Sequence, residues 1–156
     1  MSHVATLKVK VNDIDALKVA VDKLGLEWRE GQKTYKWYGT WVNDYHGGDA
    51  AYKHGIDPKN YGKCDHAIGV PGKPGAYEVG VVKMEDGSYS LIYDFWGGGH
   101  GLMEKISHEG RGGKDCGKLI QTYAREAAVK EAEAQGFFVE EEETDEEGDI
   151  NLYLTM

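Results

Sequence analysis

The spacing of apolar and polar positions changes several times along the chain, and each change marks an element. Residues 3–11 alternate, with Leu7, Val9 and Val11 on one side and Lys8 and Lys10 on the other, as in a half-buried strand. Asn12 or Asp13 then caps a helix in which Leu17, Ala20, Val21 and Leu24 recur at helical spacing until Gly25 supplies a left-handed stop. Residues 26–30 and 34–42 read as a hairpin about Gly31-Gln32, with Trp28, Tyr35, Trp37 and Trp41 as its large side chains. Periodicity fails from Asn43 to Gly75, where glycines and prolines punctuate the chain and a short strand at 67–70 is the one exception. Strands return at 77–84 and 88–95, joined by Glu85-Asp86-Gly87, whose Asp-Gly pair is a turn signal.

Residues 97–117 hold eight more glycines and read as a second flexible region. The principal helix follows over 118–135: Leu119, Tyr123 and Ala127 form one stripe, and Gly136 ends it. Residues 137–143 and 149–155 then form a hairpin, because Ile150, Leu152 and Leu154 alternate strictly. The expected fold class is α+β, an antiparallel sheet of about five to seven strands with two main helices packed mainly on one face. Residues 1–156 read as a single domain with Gly-rich loops at 43–76 and 97–117.

Composition narrows the setting. The chain has 156 residues, 40% of them hydrophobic, enough to bury a core without staples. No leader pattern and no membrane-spanning run is present, and Cys64 and Cys116 are too few for a disulfide framework, so the bacterial or host cytoplasm is the expected compartment. Charge is uneven. Residues 137–156 hold eight acids and no Lys or Arg, which accounts for −8 of the net −9; in residues 1–136 the 18 basic side chains nearly balance 19 acidic ones. That near-neutral body disfavours nucleic acid as a partner, since no basic excess is left to neutralise phosphates.

Several constellations could carry chemistry. Gly112-Gly113-Lys114-Asp115-Cys116-Gly117-Lys118-Leu119 satisfies the phosphate-loop spacing before a helix, but Leu119 stands where Mg²⁺ needs a hydroxyl and no buried strand precedes it. A looser anion or nucleotide site remains, with Arg111, Lys114 and Lys118 at the helix start and Trp96 and Tyr93 as aromatic walls. Cys64, His66, His100 and His108 are candidate zinc ligands, although no ligand spacing enforces their convergence. Cys64 beside His66 offers a nucleophile and base in sequence alone. Glu78 and Asp94, on neighbouring strands, are expected to face solvent or a basic partner. Trp37 and Trp41 belong to an aromatic strand that serves either as core packing or as a protein-binding face. Glu141 and Glu143 lie in an acidic strand that either protects a sheet edge or recognises a basic surface.

Taken together, the opening Met1-Ser2-His3 with the strand and helix to Gly25, the hairpin over 77–96, and Gln121-Thr122-Tyr123-Ala124 running through Gln135-Gly136-Phe137 into the acidic hairpin resemble a known family. It is the uncharacterised conserved reading frame of red-algal plastids and cyanobacteria, hypothetical chloroplast open reading frame thirty-five, with relatives in tailed bacteriophages. The stretch from Gly62-Lys63-Cys64-Asp65-His66 to Val70-Pro71-Gly72 is more similar to the phage branch. The resemblance carries no established activity and supplies a fold-level expectation with little chemistry; for the plastid and cyanobacterial branch it implies work alongside an ATPase of the AAA type, by association. The leading expectation is therefore a non-enzymatic binding or adaptor protein acting on a host or phage protein with a basic surface. A binder of a nucleotide-like or other anionic small ligand is the alternative, and a metal-dependent enzyme the third.

Overall fold

The computed structural model describes residues 3–6, 10–39 and 60–156. The expected strands at 3–11 and 34–42 in part, Trp41 and half of the loop over 43–76 lie outside the described residues. Five strands, β1 (Val4–Thr6), β2 (Glu27–Arg29), β3 (His66–Gly69), β4 (Val79–Lys83) and β5 (Tyr89–Asp94), form an antiparallel sheet in the order β1-β5-β4-β3-β2. The helices are α1 (Ile14–Lys23), α2 (Leu102–Ile106) and α3 (Gly117–Ala134). Strands β6 (Phe138–Thr144) and β7 (Ile150–Thr155) pair only with each other. The fold is α+β, as the periodicities implied. Among the described residues no helix is long and apolar enough to cross a membrane.

Period-two alternation divides the sheet into two faces. Ile68, Val79, Val81, Leu91 and Tyr93 point toward the helices, where Leu17 and Val21 of α1, Leu102, Met103 and Ile106 of α2 and Leu119 of α3 complete the main core. Ala67 and Ile92 point the other way and are covered by Tyr35, Trp37, Tyr61 and Cys64. Asp13 caps α1 by accepting from the Ala16 N–H at 3.1 Å. Tyr123 of α3 accepts from the Asn12 and Asp13 N–H groups through its hydroxyl, which locks the start of α1 to α3.

Four expectations need correcting. Strand β2 pairs with β3, Trp28 opposite Ile68, and not with the segment after Gly31-Gln32; that segment turns back over the sheet with a lone bridge between Thr34 and Lys63. Glu78 and Asp94 do not face solvent: they are 2% and 0% exposed. Trp37 is 1% exposed, packed edge-on against Tyr61 at 5.6 Å, so its ring is core and presents no surface to a partner. Residues 97–117 are not loop throughout: they carry α2, whose Leu102, Met103 and Ile106 return one apolar helical face to the core.

Candidate functional site

The residues that organise the exposed clefts are the two buried carboxylates. Glu78 forms an ion pair with Arg29 and accepts from Gln32 Nε2 at 3.2 and 3.3 Å and from the Lys36 N–H at 2.9 Å. Asp94 accepts from the N–H groups of His3 at 2.9 Å, Trp96 at 3.0 Å and Tyr38 at 3.1 Å. An isolated buried carboxylate would be strongly destabilising; here each one is the acceptor for backbone donors that have no ladder partner. Segment 35–38 is thereby fastened across the sheet, with the Glu78 N–H donating back to the Lys36 carbonyl at 2.9 Å.

After β5 the chain makes a left-handed turn. Gly97, Gly98, Gly99 and His100 have φ of 60°, 67°, 60° and 53°, a run that only glycine adopts without cost. Close packing adds a second reason for glycine: a side chain on Gly98 would meet Arg111 Cγ at 2.5 Å. His100 is the one non-glycine residue with positive φ among the described residues. Its ring stands edge-on to Tyr77 at 4.9 Å and to Trp96 at 5.8 Å, and Tyr38 stands edge-on to Trp96 at 5.6 Å. With Gly75 these rings line a cleft of about 360 Å³. Burial pushes the Tyr77 phenol up to about 12.

On the other side of the turn, Gly97, Gly98, Arg111, Gly112, Gly113 and Lys114 line a cleft of about 610 Å³ with the stacked pair His3 and Phe95, whose centroids are 5.2 Å apart. Arg111 and Lys114 are thus brought together, and neither side chain has a hydrogen-bond or ion-pair partner among the described residues. Lys118 lies apart in the first turn of α3, whose Gly117 N–H already binds the Asp115 carboxylate at 3.0 Å. Trp96 belongs to the aromatic cleft. Tyr93 is buried and donates to the Lys114 carbonyl at 3.1 Å, so it supports the loop from beneath. A third and larger cleft of about 850 Å³ opens beside the Arg29–Glu78 pair, lined by Thr34, Lys36, Tyr61 and Lys63 among others.

The candidate metal ligands are dispersed. Cys64 donates to the Gln32 carbonyl at 3.2 Å on the aromatic face of the sheet, His66 Nδ1 accepts from the Gly31 N–H at 3.0 Å, His100 is in the aromatic cleft, and His108 is exposed beside Gly117. No group of three or more His, Cys, Asp or Glu side chains among the described residues is placed to hold a metal ion. Burial pushes the thiols of Cys64 and Cys116 up to about 12, which leaves both protonated at neutral pH and removes the thiolate that nucleophilic chemistry needs. They are free and buried, on opposite faces of the sheet.

The acidic hairpin has two unlike faces. Glu142, opposite Leu152, turns toward α3 and receives a two-pronged bond from Arg125 at 3.0 and 2.9 Å. Arg125 holds the Glu142 carboxyl below its ordinary value. Glu141 and Glu143 lie on the outward face beside Tyr153, whose hydroxyl donates to Glu143 at 3.3 Å. Phe138, 65% exposed, and Met156, 85% exposed, add apolar surface near them.

Sequence reasoning missed Tyr38 and Tyr77 as cleft walls and the carboxylates as their supports. The readable signal was Gly97-Gly98-Gly99-His100, a glycine run too dense for a simple linker and directly after a strand. A family model described as a protein of unknown function (DUF1257) matches residues 20–153. No curated protein and no solved structure matches the chain.

Proposed function

Given that the chain belongs to the DUF1257 family of unknown function, we propose that it is a non-enzymatic binding protein whose β6–β7 hairpin docks a protein with a basic surface. One observation carries this reading: Glu141 and Glu143 present unneutralised carboxylates on the outward face, next to exposed Tyr153 and Phe138, while Glu142 is spent on Arg125. Such a mixture of charge and exposed aromatic surface suits a partner that offers lysines or arginines around an apolar patch. The near-neutral body and the protonated thiols fit a binding role better than catalysis. In keeping with the resemblance to plastid, cyanobacterial and phage reading frames, the proposed setting is a bacterial or host cytoplasm.

The test starts from recovery on the wild-type protein, identification of what is retained, and reconstitution from purified components. Glu141→Gln with Glu143→Gln should weaken the purified complex by about tenfold and flatten its salt dependence, with the fold intact. Equal binding by wild type and double variant, or no specific partner, rejects the proposal.

A second reading rests on Arg111 and Lys114 sharing a glycine-walled cleft without partners of their own. It is a site for a small anion or nucleotide phosphate. A ligand at ~100 times its dissociation constant would add ~2.7 kcal/mol of stability. A thermal-shift panel of nucleotides that leaves the wild type unmoved removes this reading.

A further inference from the structure

We propose that the cleft walled by Tyr38, Tyr77, Trp96 and His100 binds the ring of an aromatic acid, whose anionic group is held by Lys73 at the rim. Four rings meeting edge-on are often no more than packing. In this cluster, however, the rings line an open cleft of about 360 Å³, near the lower end of the ~300–1,000 Å³ common for small-ligand sites. Tyr38 and Trp96 remain half-buried and His100 exposed, so a guest would reach them from solvent.

Each wall is positioned by a separate constraint. Asp94 holds the backbone of Tyr38 and of Trp96, the Tyr77 N–H donates to the Gly99 carbonyl at 2.9 Å, and His100 is set by the left-handed turn. A non-glycine residue in that conformation is strained by about 1–2 kcal/mol, and three glycines precede it where a fourth would have relieved the strain. The ring at position 100 therefore stands against the local backbone preference. Preorganised walls of this kind spare a ligand the cost of ordering them.

Charge decides the guest. The described lining residues include no carboxylate, and the one beneath, Asp94, is buried and saturated by its three N–H donors. Among the described residues, two cations lie near the rim. Lys73 lies against Gly101, which follows His100, with its ammonium 3.2 Å from where a side chain on that glycine would begin. Lys36 Nζ donates to the Pro74 carbonyl at 2.7 Å, next to Gly75 of the lining. A methylated ammonium, the usual guest of an aromatic cage, would meet this positive rim, whereas a ring bearing a carboxylate is complementary to it.

Calorimetric titration of the full chain with phenylacetate, phenylacetamide and benzyltrimethylammonium tests the assignment, with the Trp96 indole N–H resonance reporting the location. Phenylacetate should bind best and shift that resonance. Lys73→Gln should weaken phenylacetate by about threefold and leave the amide unchanged. His100→Gly keeps the backbone conformation, and should weaken both ring ligands by about tenfold without lowering the urea midpoint. The proposal is overturned by absence of phenylacetate binding at millimolar concentration, by tighter binding of the cation, by an unshifted Trp96 resonance on phenylacetate binding, or by an undiminished phenylacetate preference in Lys73→Gln.

Discussion

Replacing Asp94 with Asn tests whether one buried carboxylate holds three chain segments together. Its Oδ1 accepts from the His3 and Trp96 N–H groups and its Oδ2 from that of Tyr38, at full burial. Asparagine offers one oxygen and one NH₂, so its best orientation keeps His3 and Trp96 and turns a donor toward the Tyr38 N–H. One buried donor is left unsatisfied, at ~1–3 kcal/mol, and the two surviving bonds fall from charged to neutral strength, at about 1 kcal/mol each. Relief from burying a charge offsets part of this, so a net loss of about 3 kcal/mol is expected. With a urea m-value of ~2 kcal/mol/M, the unfolding midpoint should fall by roughly 1.5 M. Hydrogen exchange supplies the local readout: the Tyr38 amide should lose protection first. A loss under about 1 kcal/mol, or a Tyr38 amide as protected as in the wild type, would refute the reasoning.

Two further expectations follow from the backbone and the buried acids. His100→Ala and His100→Gly both remove the ring, but only alanine keeps the strain of φ 53°, so the glycine variant should be the more stable by about 1 kcal/mol in urea unfolding; equal midpoints would mean that the turn is not left-handed in solution. Burial raises Cys64 and Cys116 from 9.0 and Tyr77 from 10.0, each to about 12, so the folded state retains protons that the unfolded chain releases. Their contribution is complete below pH 9 and is lost as pH rises toward 12; Tm should drop across that window, and more shallowly in Cys64→Ala and Cys116→Ala, whereas parallel profiles for all three proteins would contradict the assigned burial.

What was legible from sequence was local. Helix α1 announces itself through Asp13, its apolar stripe and Gly25, and β4–β5 through alternation around Asp86-Gly87, because caps and tight turns are written in neighbouring residues. The hairpin β6–β7 is readable for the same reason. Pairing of β2 with β3 is not, since the alternating run over 26–42 with a glycine in it satisfies hairpin patterning equally well and the true partner lies beyond the long loop. The carboxylates failed for a related cause. Glu78 and Asp94 continue the alternation that puts Gly80 and Ile92 on the second face, and that face is a buried one because Tyr35, Trp37, Tyr61 and Cys64, brought in by distant segments, cover it while the Lys36 and Tyr38 N–H groups bond the carboxylates. Residues 97–117 were misread because dense glycine signals either freedom or a backbone that no other residue can adopt. The apolar trio Leu102, Met103 and Ile106 pointed to the second.

The same accident of connectivity that hides the clefts from sequence explains how they are built. A sheet end normally leaves its last backbone groups to water, and loops leaving it would sample many arrangements. Asp94 occupies that position at the end of β5, and its donors come from three separate places: the residue before β1, the segment crossing the second face, and the residue just before the left-handed turn. His3 stacks in the cationic cleft, while Tyr38 and Trp96 wall the aromatic one. A change that shortens or neutralises Asp94 should therefore perturb both clefts together, whereas changes at Lys73 or Arg111 should perturb one each. Such a split between a shared support and private contacts is a property of the connectivity, because the turn after β5 lends residues to both clefts and the Asp94 carboxylate holds the backbone at its start.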